Sequence, residues 1–135
     1  MEQAKIPIAI DFGTSYIKVC YFDEQTYRIE PIRSQYGTTF CPSALTFTRN
    51  VTLFGDPAKN NIRNQYSIEG IKRFIGQRFD DIPEDVRDGM NFEIREGEDE
   101  FCEILIPDPN NGEDLVFKPE ELIAIQLAHV KQIIL

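Results

Sequence analysis

The stretch Ile8-Ala9-Ile10-Asp11-Phe12-Gly13-Thr14-Ser15-Tyr16-Ile17-Lys18-Val19 constrains this chain more than any other. A short apolar run ends in a carboxylate, a glycine and two hydroxyl residues follow, and a second run then alternates apolar and polar. That pattern is strand, tight turn, strand. Asp11 stands at the lip of the turn, and Gly13 lets the backbone approach whatever lies there. The amides of Thr14, Ser15 and Tyr16 can then point at an anion. A nest of amides beside a carboxylate suits a metal–phosphate group: the nest binds phosphate oxygens and the carboxylate serves the cation. Taken alone, the same residues also describe a plain β-hairpin whose turn contains Gly and Thr.

The rest of the composition narrows the class. At 135 residues, 41% hydrophobic and 27% charged, the chain fits one domain able to bury a core without staples. A net charge of -9 argues against a general nucleic-acid binder but not against ATP, which needs only local cations and a metal. Cys20, Cys41 and Cys102 are far apart, form no CxxC, and have only His129 as a further soft ligand, so no zinc-type site is expected. Cys20 reads as a buried small hydrophobe, and this cysteine usage fits a reducing compartment. Met1 to Lys5 lacks the apolar core of a signal peptide, and no run is long enough to span a bilayer, so the expectation is a cytoplasmic protein without membrane contact.

Along the chain, the first strand is expected from Ile6 to Phe12, apolar on both faces as a central strand would be. Tyr16 to Phe22 and Tyr27 to Ile32 complete an antiparallel meander. Ala44 to Phe47 and Val51 to Phe54 read as a hairpin. Asp56 as N-cap with Pro57 at the first helical position opens a helix to about Asn64. Ser67 is expected to cap a second helix over Ile68 to Phe74, stopped by Gly76, with Ile68, Ile71, Phe74 and Ile75 as its apolar face. A short helix follows Pro83. Asn91 to Ile94, Phe101 to Ile106 and Leu115 to Phe117 read as strands, with the acidic run Glu96 to Glu103 as a solvated hairpin. Pro119-Glu120-Glu121 starts the last helix, whose apolar pattern reaches Leu135 and is expected to run on into more protein.

Three stretches together carry a family resemblance. Ile10 to Tyr16 resembles the first phosphate loop of the actin, sugar-kinase and heat-shock superfamily. Leu53-Phe54-Gly55-Asp56-Pro57-Ala58-Lys59-Asn60 and Ile71-Lys72-Arg73-Phe74-Ile75-Gly76-Gln77-Arg78-Phe79 resemble two consecutive segments of the 70-kilodalton heat-shock chaperones, in matching order and spacing. Pro119-Glu120-Glu121 fits as well. The resemblance covers nearly the whole chain and about the first third of that family's ATPase domain. It implies an α/β chain of the ribonuclease H-like, actin-like ATPase fold. Residues 1–40 would form inner strands with the phosphate loop, 41–117 an outer subdomain, and 118–135 a returning helix.

The same resemblance implies ATP or ADP with magnesium as ligands. Asp11 matches the carboxylate that reaches magnesium through water, and Gly13, Thr14, Ser15 and Tyr16 match the loop on the β- and γ-phosphates. Lys72 matches the lysine that contacts the γ-phosphate and orients the attacking water. Asp11 and Lys72 are thus the implied catalytic pair. Arg73 is expected to face elsewhere, in a structural ion pair. The sequence departs from the family at Phe12 and Ser15, which replace leucine and threonine. It departs more at Phe40-Cys41-Pro42-Ser43, where the family has two threonines before the proline; Thr38-Thr39 come earlier, and the sequence leaves both alignments open. Unfolded peptides, J-domain cochaperones and nucleotide-exchange factors are the implied partners of the full-length parent. The parent is expected to be an ATPase, and the isolated chain, lacking the opposing lobe, to be inactive. The alternatives are a regulatory or exchange-factor-like relative without peptide chaperoning, or an interaction module that kept the fold and lost catalysis.

Overall fold

A computed structural model describes residues 5–62 and 64–134, which form a mixed α/β arrangement of three antiparallel sheets and few helices. The first sheet is built on β2 (Tyr16–Asp23), which pairs with β1 (Ile8–Phe12), β3 (Arg28–Pro31) and β4 (Phe40–Pro42). Period-2 alternation sends Ile17 and Val19 inward, 1% and 6% exposed, while Lys18 faces solvent. The expected meander is therefore present, but two details differ. β1 is an edge strand among the described residues, pairing with β2 alone, and Ile8 and Ile10 are each 43% exposed. Tyr27 is a turn residue at φ 53° and not the start of a strand: the Asp23 carboxylate accepts the Gln25 and Thr26 amides and closes the connection one residue later than expected. Cys20 is only half-buried.

The second sheet centres on β5 (Ala44–Phe47), buried along its whole length between β6 (Thr52–Phe54) and β7 (Ser67–Glu69). The expected hairpin is β5–β6. Helix α1 (Asp56–Lys59) is a single turn that starts one residue earlier than expected: Gly55, at φ 76°, holds the N-cap position without any side-chain cap. The second expected helix does not form. Ser67 to Glu69 pairs with β5, and Ser67 is fully buried with its hydroxyl donating to the Asn61 carbonyl at 2.7 Å. Gly70 then turns left-handed at φ 72° and admits only a 3-10 turn over Ile71–Phe74. The inward residues are still the ones the spacing named: Ile68, Ile71 and Phe74 are at most 1% exposed, although Ile75 is not buried. With three residues per turn, Ile71 and Phe74 point in and Lys72 and Arg73 point out.

The third sheet, β8 (Glu93–Glu96), β9 (Cys102–Pro107) and β10 (Asp114–Phe117), follows the short helix α2 (Glu84–Asp88). Its acidic hairpin is solvated and edged by ion pairs, Arg95 with Glu103 at 2.9 Å and Arg78 with Glu100. The last element is α3 (Pro119–Ile134). Leu122, Gln126 and Val130 recur every four residues and form its buried stripe. Leu122 enters the larger core with Leu45, Ile68, Phe74 and Ile104, and Val130 enters a smaller one with Ile17 and Val19. No helix among the described residues is long and apolar enough to cross a membrane.

Phe74, 1% exposed and edge-on to Phe92, joins the 3-10 turn to the larger core. Phe74→Ala is expected to cost about 3–5 kcal/mol in urea unfolding. Ile29→Ala, at a side chain 73% exposed, is expected to change stability by less than about 0.5 kcal/mol.

Candidate phosphate-binding site

The β1–β2 turn is a tight loop closed by its own backbone: the Gly13 amide donates to the Tyr16 carbonyl at 2.9 Å. A Cβ at position 13 would lie 2.5 Å from that carbonyl oxygen, so only glycine closes the loop this way. Ser43, just past β4, ties the turn down twice. Its amide donates to the Ser15 carbonyl at 2.8 Å and its hydroxyl to the Gly13 carbonyl at 2.9 Å. Lys72, sixty residues from the turn in sequence, extends from the 3-10 turn and donates from Nζ to the Phe12 carbonyl at 2.7 Å. The carbonyls of Phe12, Gly13, Ser15 and Tyr16 thus all receive donors. Among the described residues, the amides of Thr14 and Ser15 meet no acceptor. Donors without acceptors, a glycine cradle and a cation are the makings of an anion site.

Asp11 is exposed at the mouth of the turn and stands opposite Lys18 in the β1–β2 register. The structure therefore gathers Asp11, Gly13, Thr14, Ser15, Tyr16 and Lys72 around one loop. It adds two residues whose place at the turn the sequence did not indicate. Lys18 is fixed by the register of the hairpin, and its alternation in β2 was the available signal. Ser43 acts through a contact thirty residues long, for which the sequence carries no local sign. Arg73, expected in an ion pair, has none among the described residues.

The register also decides which residues flank the turn on the β4 side. Cys41 lies opposite Ile17 and Pro42 opposite Tyr16, and the Phe40 ring meets the Tyr16 ring edge-on at 5.2 Å. Thr38 is further back, its hydroxyl paired with that of Ser34 at 2.9 Å. A phenyl ring and a thiol therefore stand beside the turn on this strand. Burial, with the Asp56 carboxylate as a second cause, pushes the Cys41 thiol above the ordinary thiol range. On the far side of the same region His129 stacks on Phe54 at 5.4 Å, and burial pushes its imidazole down.

A raised thiol pKa keeps Cys41 protonated at neutral pH, and the thiolate is the nucleophile. Iodoacetamide labelling of Cys41, followed by peptide mass spectrometry, is expected to rise with pH later than that of a free cysteine. Asp56→Asn is expected to shift the profile back toward lower pH.

Comparison with known proteins bears on the chain as a whole. The family model described as Hsp70 protein matches residues 7–134. The chain is 35% identical over 130 residues to a ribosome-associated molecular chaperone of Eremothecium gossypii, covering 93% of this chain and 20% of that protein. It is 32% identical over 128 residues to the heat shock cognate HSP70 protein of Trypanosoma brucei brucei, covering 92% and 18%. Against the heat shock 70 kDa protein of Neurospora crassa the identity is 35% over 127 residues, covering 93% and 19%. The chain spans about a fifth of the length of these curated relatives. With the match running through nearly every described element, this chain belongs to the Hsp70 family.

Proposed function

We propose that the chain supplies one wall of the ATP site of a heat-shock-type molecular chaperone, in which ATP binding and hydrolysis are coupled to protein folding. The observation that carries this reading is the 2.7 Å hydrogen bond from Lys72 Nζ to the Phe12 carbonyl, which brings a distant cation onto the turn whose Thr14 and Ser15 amides meet no acceptor among the described residues. Gly13, Thr14, Ser15 and Tyr16 would form the loop that holds the β- and γ-phosphates, with the Thr14 and Ser15 amides as its main-chain donors. Lys72 would leave the Phe12 carbonyl for the γ-phosphate, stabilise the charge that develops there and orient the attacking water. Asp11 would hold magnesium through water, as its exposed position at the turn allows. When bound, magnesium neutralises phosphate charge.

Residues 1–40 then serve as the inner strands, 41–117 as an outer subdomain and 118–135 as the helix returning to the inner core. In the full-length protein the partners would be unfolded peptides, J-domain cochaperones and nucleotide-exchange factors, in the cytoplasm. Neither the regulatory alternative nor the interaction-module alternative is favoured by a specific observation.

In the full-length protein, Lys72→Ala is expected to slow single-turnover ATP hydrolysis by roughly 100-fold or more. Unchanged hydrolysis would remove Lys72 from the mechanism. The 135-residue chain alone is expected to bind ATP more weakly than micromolar by calorimetry and to show no useful turnover, because a single wall leaves the phosphates exposed to water.

A further inference from the structure

On the side of the turn where Thr14 and Ser15 lie, a groove of about 390 Å³ opens, and Arg73, Lys59, Glu69 and Asn91 line it with them. Lys59 and Glu69 neutralise each other at 2.5 Å, and the Asn91 amide is committed to the Ile62 and Ser67 carbonyls. The Arg73 guanidinium is the charge left over among the described lining residues. It is exposed and makes no ion pair among them. The 3-10 turn explains its direction. Successive residues diverge by about 120°, so Lys72 reaches the Phe12 carbonyl while Arg73 lines the groove that Thr14 and Ser15 also line. A cation without an ion pair among the described residues, on the same groove as two residues whose amides meet no acceptor among them, is a local attractor for anions on a chain of net charge -9.

We infer that Arg73 is a second phosphate-binding residue, gripping a polyphosphate chain from the groove while Lys72 serves the other side of the same turn. The inference rests on the phosphate reading of the turn. The ligand class is a linear polyphosphate such as the triphosphate of a nucleotide. The guanidinium fork suits two oxygens at once, which a lysine cannot match.

The test uses the ¹⁵N-labelled 135-residue chain titrated with inorganic tripolyphosphate, following the Thr14 and Ser15 amides by NMR. Arg73→Ala is expected to raise the apparent Kd about five- to tenfold, and Arg73→Lys to give an intermediate loss. Arg78→Ala, which removes the same charge from a side chain paired with Glu100, is expected to leave Kd within about twofold. Equal Kd values for Arg73→Ala and the unaltered chain would overturn the inference while leaving the phosphate reading intact. So would an equal loss in Arg78→Ala, which would reduce the effect to net charge. Thr14 and Ser15 amides that do not respond to tripolyphosphate in the unaltered chain would remove the phosphate reading, and this inference with it.

Discussion

The packing of α3 across two cores is what the site depends on. Leu122 and Val130 sit eight residues apart on one face of the helix, the first among residues that include Phe74 and the second against Ile17 and Val19. Burying each such side chain stabilises by about 1.5–3 kcal/mol. The Lys72 hydrogen bond to the Phe12 carbonyl is exposed and contributes less, about 1 kcal/mol. Packing therefore sets the distance between the 3-10 turn and the phosphate turn, and the hydrogen bond reports that distance. Gln126 lies between the two anchors, 1% exposed, and its Nε2 has no partner among the described residues.

Much of this arrangement could be read from the chain, and the misreadings have identifiable causes. The β2 alternation, the β5–β6 hairpin and the long last helix all came from periodicity sustained over their length. Ser67 to Phe74 misled because Ile68, Ile71 and Phe74 have helical spacing and are buried as a helix face would be. The spacing is satisfied instead by a strand, a left-handed Gly70 and a 3-10 turn. Local pattern fixes which side chains go in; it does not fix the backbone that takes them there. β1 misled in the other direction, since an apolar run does not say how many neighbours a strand has.

The site divides along the same line. Asp11 to Tyr16 are contiguous, so they stood out as one motif, although alone they also described a plain hairpin. Lys72 was legible only through resemblance to neighbours on either side of it, because nothing local marks an exposed lysine on a short turn. Ser43 and Lys18 depend on register, which appears only once strands are paired. Which residues of the Thr38 to Cys41 stretch stand beside the turn was likewise a question of register, and β4 places Cys41 opposite Ile17.

Ser43 spends both its amide and its hydroxyl on carbonyls of the turn. The Gly13 and Ser15 carbonyls are thereby used up, while the Thr14 and Ser15 amides meet no acceptor among the described residues. In the proposed phosphate site, selectivity for anions over cations would belong to the main chain, and the side chains at 14 and 15 would be released from providing it. A family built on this device can exchange Thr for Ser at such a position and keep its grip. Position 13 cannot vary, and a change at position 43 would be felt in the loop although residue 43 need never touch the ligand.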